Sequence, residues 1–411
     1  MPVSLRRNFL WTLAGTVTFA MCQWATIIVI TKVGSTKLAG DWTLALAITG
    51  PIFVFAQLKL RQVQATDAKQ ENRWGEFVAL RMLAMVAAVL TTSTVVLVAY
   101  RDDTALVILL VGLAKVLDAA SDLVYGREQQ QEMMRPIALS QIVRGLTAFA
   151  LSTVALVVSG SVAWAACGTA SGYAAWFAWD LVRVRRLLKG EPIGPRWARA
   201  PLVRLFRLVL PLGFVTAIGS LQVNIPRYFL EGYTSREDLG AFGTLAYLLV
   251  FGNMVVSAVA NAAVPRMARL ASDQDWSAFR SLLAKLLMIG AALGVAAVAG
   301  SVLVGREVLT FLYSPEVATH ADVLVWMAVT SGLLWSYVFL GTSLDAMRRF
   351  RVQPWIHGTS TLVIMGASAL LVPRYHMLGA AWAMLVGYGV ESVLYCVAVA
   401  VPLRRMQGPS T

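Results

Sequence analysis

A helix needs about 20 mostly apolar residues to cross a hydrocarbon core of about 30 Å, and this chain supplies such stretches repeatedly. They fall at 8–30, 39–58, 77–100, 104–125, 137–158, 162–182, 205–225, 241–264, 282–304, 321–340, 356–372 and 378–401. Spacing of this kind predicts an all-α integral membrane protein with about 12 transmembrane helices, because each helix satisfies its own backbone polar groups in lipid and membrane strands are only about half as long. The composition agrees: 58% of the 411 residues are apolar and 14% charged, against about 45–50% and about 25% in soluble domains. The first apolar stretch is too long for a signal-peptide core and has no convincing cleavage site, so a retained helix is expected there.

The formal net charge of +13 would suggest nucleic acid if the basic residues formed one stripe. They sit instead in short clusters between apolar segments, so no nucleic-acid partner is expected. Lysines and arginines flanking short loops are retained on the cytoplasmic side. With the N-terminus inside, the outer side receives only Lys32, Lys37, Arg101, Arg227, Arg236, Arg306 and Arg374. The inner side receives Arg6, Arg7, Lys59, Arg61, Lys69, Arg73, the run from Arg183 to Arg207 and the remaining clusters, with Arg81, Lys115 and Arg144 left at membrane depth. Both termini are therefore predicted to be cytoplasmic. Cys22, Cys167 and Cys396 all lie in apolar segments, which supports neither a disulfide framework nor a thiolate metal site.

The longest basic connection carries Gly190, Pro192, Gly194, Pro195 and Pro201 and reads as a linker, 189–203, between an N-terminal six-helix lobe, 1–188, and a C-terminal six-helix lobe, 204–411. Internal echoes support the division. Leu38-Ala-Gly40 recurs as Asp238-Leu-Gly240, Trp74-Gly-Glu-Phe77 as Trp276-Ser-Ala-Phe279, and Gly172-Tyr173 as Gly387-Tyr388. An even number of crossings per lobe gives both the same orientation, so a pseudo-twofold along the membrane normal is expected to relate them.

No phosphate-loop motif is present, so any pumping must draw on a gradient or a partner. His320, His357 and His376 are scattered near segment ends, no nucleophile has a sequence-adjacent base, and the longest outer connection, about 305–320, is too short to hold a glycosyl donor and acceptor. Neither an enzyme, a cofactor nor a metal is expected. The informative residues are charges inside the membrane, each costing at least about 2.5–3.5 kcal/mol to insert. Lys115, Asp118, Asp122 and Tyr125 share one face of the fourth segment. Arg144 on the fifth lies about 10 Å from its end, at 1.5 Å per residue, and Asp118 lies at a similar depth. An Asp118–Arg144 ion pair could serve as a structural staple or help line a cavity, and the two roles are compatible. Lys115 and Asp122 then remain. Asp122 and Glu391 are candidate ion-coupling carboxylates. Arg227 is expected near the outer surface, contacting substrate or reaching to the interface.

The stretch Lys115-Val-Leu-Asp-Ala-Ala-Ser-Asp-Leu-Val-Tyr-Gly126, with Gln129 to Gln131, Ser140 and Arg144-Gly145, resembles the fourth and fifth segments of bacterial polysaccharide export proteins. Asn224-Ile-Pro-Arg-Tyr-Phe-Leu230, Asp238 to Tyr247, and Leu378-Gly-Ala-Ala-Trp-Ala383 extend the likeness along the chain. Those proteins are the O-antigen and capsule flippases of the multidrug/oligosaccharidyl-lipid/polysaccharide exporter superfamily. Asp118 stands where a glutamate is expected, which keeps the charge and shortens its reach. The resemblance implies a flippase in the bacterial inner membrane that moves a polyprenyl-pyrophosphate-linked oligosaccharide by alternating access. Its partners would be that lipid-linked oligosaccharide, membrane lipids and other polysaccharide-assembly membrane proteins. It also implies that Lys115, Asp118, Asp122, Arg144 and Arg227 line the substrate path. A cation-coupled multidrug exporter of the same superfamily is the alternative, and a membrane glycosyltransferase or polymerase a third reading, disfavoured by the short outer loops.

Overall fold

A computed structural model describes residues 5–67, 71–188, 190–349 and 351–405, and every regular element in them is a helix. Lys69 and Lys189, two of the basic residues assigned to inner loops, lie outside the described residues. The first helices are α1 (Leu5–Val29, continued by a π turn to Gly34), α2 (Thr36–Gln57), α3 (Leu60–Thr66), α4 (Trp74–Ala99), α5 (Asp103–Gln130), α6 (Met134–Ser159) and α7 (Val162–Leu187). They are followed by α8 (Arg199–Tyr233), α9 (Arg236–Leu248), α10 (Val250–Ser272), α11 (Trp276–Leu312), the short α12 (Pro315–Ala318), α13 (Ala321–Ala346) and α14 (Gln353–Arg405).

Twelve crossings follow from these elements. α2 with α3 and α9 with α10 each make one continuous span. α14 makes two: its 53 residues would reach about 80 Å if straight, at 1.5 Å per residue, but His376 breaks it with φ 51°. The halves fold back on each other, since Ser360 Oγ donates to the Gly387 carbonyl at 2.9 Å and a Cβ on Gly379 would meet the Leu371 carbonyl. α7 is long enough to cross, and its C-terminal end carries Asp180, Arg183, Arg185 and Arg186, which dilute its apolar character. α11, the most apolar span, is among the least buried, with Val302, Leu303 and Phe311 exposed. Apolar surface left outside on so many helices is a bilayer-facing surface, and the chain is a multi-pass membrane protein.

The chain divides into two compact units, Met1–Ser220 and Leu221–Thr411. The division falls inside α8 and not in the proline-rich linker, because the first half of α8 packs into the N-terminal unit. There Leu205 and Val209 join a core with Leu58, Trp74 and Phe77, and Phe214 lies 5.0 Å from Phe55, ring centre to ring centre.

The sequence echoes occupy matching structural places within each unit. Ser35 caps α2 by accepting from Leu38 N, and Ser235 caps α9 by accepting from Asp238 N. Trp74 and Trp276 are the first residues of α4 and α11, with Phe77 and Phe279 buried one turn later. Gly172 on α7 and Gly387 in the second half of α14 each let their helix approach the preceding one: a Cβ would lie 2.6 Å from Ala148 Cα in the first case and 2.1 Å from Ile364 Cγ1 in the second.

Candidate functional site

The N-terminal unit gathers its charges along α5. The face predicted from Lys115, Asp118, Asp122 and Tyr125 turns inward and continues to Glu128 and Gln129. Arg144 of α6 reaches Asp118 with Nη2 at 2.8 Å from Oδ1, and its side chain is only 2% exposed against 25% for Asp118. Three aromatic faces surround the same guanidinium: Phe19 at 4.7 Å, Tyr173 at 4.8 Å and Tyr125 at 5.7 Å. A planar, delocalised cation suits that enclosure, since it can be desolvated against ring faces where an ammonium could not. Nε and Nη1 of Arg144 have no hydrogen-bond partner in the protein, so the rings, and not acceptors, satisfy those edges.

Asp122 corrects one expectation. It is not left without a partner: Arg61 Nη1 lies 3.3 Å from its Oδ1 and Arg81 Nη2 3.2 Å from its Oδ2. The cause is the break between α2 and α3, where Leu58 and Lys59 take left-handed conformations with φ 52° and 55°, each costing about 1–2 kcal/mol. The break redirects the chain so that α3 brings Arg61 onto α5, where Arg61 Nε also donates to Gln129 Oε1 at 3.0 Å. Arg81 fits into the same corner, its Nη1 donating to the Gln57 carbonyl at the end of α2.

Further along α5, the Tyr125 hydroxyl meets Ser140 Oγ at 2.8 Å, and Ser140 donates to Asp180 Oδ1 at 2.9 Å. Arg183 bridges Asp180, at 3.1 Å, and Glu128. These contacts form a ladder along α5 of four carboxylates, Asp118, Asp122, Glu128 and Asp180, against four arginines, Arg61, Arg81, Arg144 and Arg183. These charges cancel. Lys115, half-buried on the same face one turn before Asp118, has no ion-pair partner among the described residues. Arg61, Arg81, Glu128, Asp180 and Arg183 were not identified as site residues from sequence. The i, i+3 spacing of Asp180 and Arg183 at the end of an apolar segment is the signal that could have found two of them.

In the C-terminal unit Arg227 turns inward. Its Nη1 donates to Asn224 Oδ1 at 3.0 Å, one turn earlier on α8, and its Nε is buried without an acceptor. No carboxylate lies within ion-pair distance of it among the described residues. Glu391 is fully buried. Gln222 Nε2 donates to its Oε2 at 3.0 Å, and His357 Nδ1 lies 2.8 Å from its Oε1. The far ring nitrogen of His357 is 3.1 Å from the Tyr395 hydroxyl, and Tyr395 stacks on Tyr337 at 5.5 Å. His357, read from sequence as a scattered segment-end residue, is thus drawn into a buried cluster by the α14 hairpin.

This frame can be placed among known proteins. A model of the family described as "Polysaccharide biosynthesis protein" matches residues 5–271. A Staphylococcus aureus protein named "Capsular polysaccharide biosynthesis protein CapF" is 27% identical over 392 residues, covering 95% of this chain and 98% of that protein. Among solved structures, an inward-facing multidrug resistance MATE family transporter of the MOP superfamily superposes with a TM-score of 0.75 at 11% identity, covering 96% of each chain. The lipid II flippase MurJ in an inward closed conformation superposes at 0.74 with 11% identity, covering 97% of this chain and 90% of its own. Those two likenesses establish a shared two-lobe all-helical fold. The family match covers more than half of the sequence, and the chain belongs to the polysaccharide biosynthesis protein family.

Proposed function

We propose that this protein is a flippase, not an enzyme: it moves a polyprenyl-pyrophosphate-linked oligosaccharide across the bacterial cytoplasmic membrane by alternating access, with both termini cytoplasmic. The observation that carries this reading is the charge surplus in the N-terminal unit. On the inward face of α5 four arginines are matched by four carboxylates, and Lys115 on that face has no ion-pair partner among the described residues. A half-buried, uncommitted ammonium at membrane depth is a poor structural element and a good attractor for an anionic headgroup. Arg227 supplies a second cation, in the other unit, with no carboxylate partner among the described residues. A pocket for cationic drugs would be expected to hold an uncommitted carboxylate instead. The full-length likeness to a capsule protein supports the same substrate class.

Lys115 is the proposed headgroup contact, with Asp118, Asp122 and Arg144 fixing the wall that presents it and Arg227 acting in the C-terminal unit. For the driving force, Glu391 is the better coupling candidate of the two carboxylates read from sequence. Asp122 is clamped between two arginines, whereas Glu391 faces a histidine and an amide, partners compatible with either protonation state. Lys115→Ala should abolish surface glycan while membrane abundance stays near normal, and Lys115→Arg, which keeps the charge and changes its shape, should retain part of the export. Full export with normal abundance in the alanine variant would remove Lys115 from the mechanism, and loss of the protein itself would make Lys115 a structural residue.

A further inference from the structure

The N-terminal unit holds a second arrangement that the polar ladder does not use. A cleft of about 600 Å³ runs between α2, α4 and the start of α8. Ile52 and Phe55 form one wall, Leu80 and Ala87 another, and Phe206 the third. Among the described residues that line it, Thr91 alone has a polar side chain, and its hydroxyl is already satisfied by donating to the Ala87 carbonyl at 2.8 Å. The cleft therefore offers nothing to a polar ligand along its length.

Its mouth is the opposite. Val203 borders both the cleft and a basic surface made by Arg199, Arg204 and Arg207 on the exposed side of α8. Arg204 Nη2 donates to the Glu71 carbonyl at 3.1 Å, which steadies its position and leaves its charge unneutralised. Arg199 and Arg207 have no carboxylate partner among the described residues. The mouth is also held in place. Trp74 Nε1 donates to the Ile193 carbonyl at 3.0 Å, and Arg196 N to the Gly75 carbonyl at 2.7 Å, tying the linker before α8 to the start of α4. Gly75 makes that approach possible, since a Cβ there would stand 2.9 Å from Arg196 Cβ.

We propose that this cleft is a binding site for a bilayer phospholipid with an anionic headgroup, one acyl chain lying in the cleft and the phosphate on Arg199, Arg204 and Arg207. Length selects the occupant. From Leu80 beside the mouth to Thr91 the cleft follows about 16 Å of α4, at 1.5 Å per residue, which is about half of a hydrocarbon core of about 30 Å. That is the reach of one leaflet's acyl chain. A polyprenyl carrier would outrun that length and leave much of its tail outside the cleft. Basic pockets at the ends of membrane helices are suited to anionic headgroups, each nearby cation adding to the attraction.

The test is native mass spectrometry of the full chain, stripped of lipid in detergent and titrated with phosphatidylglycerol or phosphatidylcholine carrying the same acyl chains. The wild-type protein should retain phosphatidylglycerol at least about tenfold more tightly. Replacing all three arginines, as Arg199→Gln, Arg204→Gln and Arg207→Gln, should erase that preference. Ala87→Trp, placed at an exposed position of the cleft wall, should weaken both lipids while the protein keeps its elution volume and melting temperature. Equal retention of the two lipids by the wild type would overturn the proposal by removing the headgroup contact, and unchanged retention in Ala87→Trp would overturn it by leaving only diffuse surface attraction. Displacement of phosphatidylglycerol by a stoichiometric amount of polyprenyl phosphate would overturn it in favour of the carrier's tail.

Discussion

Arg144 shows how a charge is made tolerable at membrane depth: one edge meets a carboxylate, and three ring faces enclose the rest. Removing Asp118 leaves the guanidinium buried and uncompensated, which typically costs about 3–5 kcal/mol. Asp118→Ala should therefore deplete folded protein strongly, and adding Arg144→Met should recover part of the loss, as measured by abundance and thermal melting in a double-mutant cycle. Additive losses would show that the pair is not coupled. This pair was legible in the sequence because its members lie at matched depth on consecutive segments. Arg61 and Arg183 were not, because each belongs to a basic cluster that the topology rule already explains, so nothing in the sequence marks them as reaching inward. The pairing of Asp122 is hidden for a different reason: its partners sit 61 and 41 residues away, beyond anything local spacing can report.

At the scale of elements, apolar segment length located the twelve crossings well, since the bilayer imposes it, and it separated the two halves of α14 on either side of the His376 break. The departures come from backbone conformations that composition does not encode. The left-handed turn at Leu58 and Lys59 uses residues that ordinarily avoid it, and without that turn α3 could not deliver Arg61 to Asp122. The α14 hairpin likewise brings His357 to Glu391 across the Pro373 to His376 corner. The groups facing Glu391 include Gln222 from α8, His357 from the first half of α14, Tyr337 from α13 and Tyr388 one turn earlier on its own helix, with Tyr395 on the far side of the histidine. If Glu391 carries the coupling proton, Glu391→Gln keeps the shape and removes the charge. Vesicles containing that variant should transport at a rate indifferent to an imposed proton gradient, where the wild type responds; an unchanged response would exclude Glu391 from coupling.

At the scale of the molecule, the repeated caps at Ser35 and Ser235 and the repeated Gly–Tyr pairs describe two units built on one plan. The basic-residue asymmetry predicts an orientation for that plan, with both termini cytoplasmic. In a variant without its native cysteines, a cysteine replacing the exposed Glu316 should react with an impermeant reagent in intact cells, and one replacing the exposed Glu191 should not; the reverse pattern would invert the topology. Family membership and the two-lobe fold leave the cargo as the central claim, and it can be measured directly. Purified protein in liposomes, given a fluorescent polyprenyl-pyrophosphate-linked oligosaccharide in one leaflet, should make the glycan accessible to a membrane-impermeant quencher on the other side, and Lys115→Ala should slow that at least about tenfold. A protein that leaves the labelled lipid in place while expelling a cationic dye under an ion gradient would contradict the account.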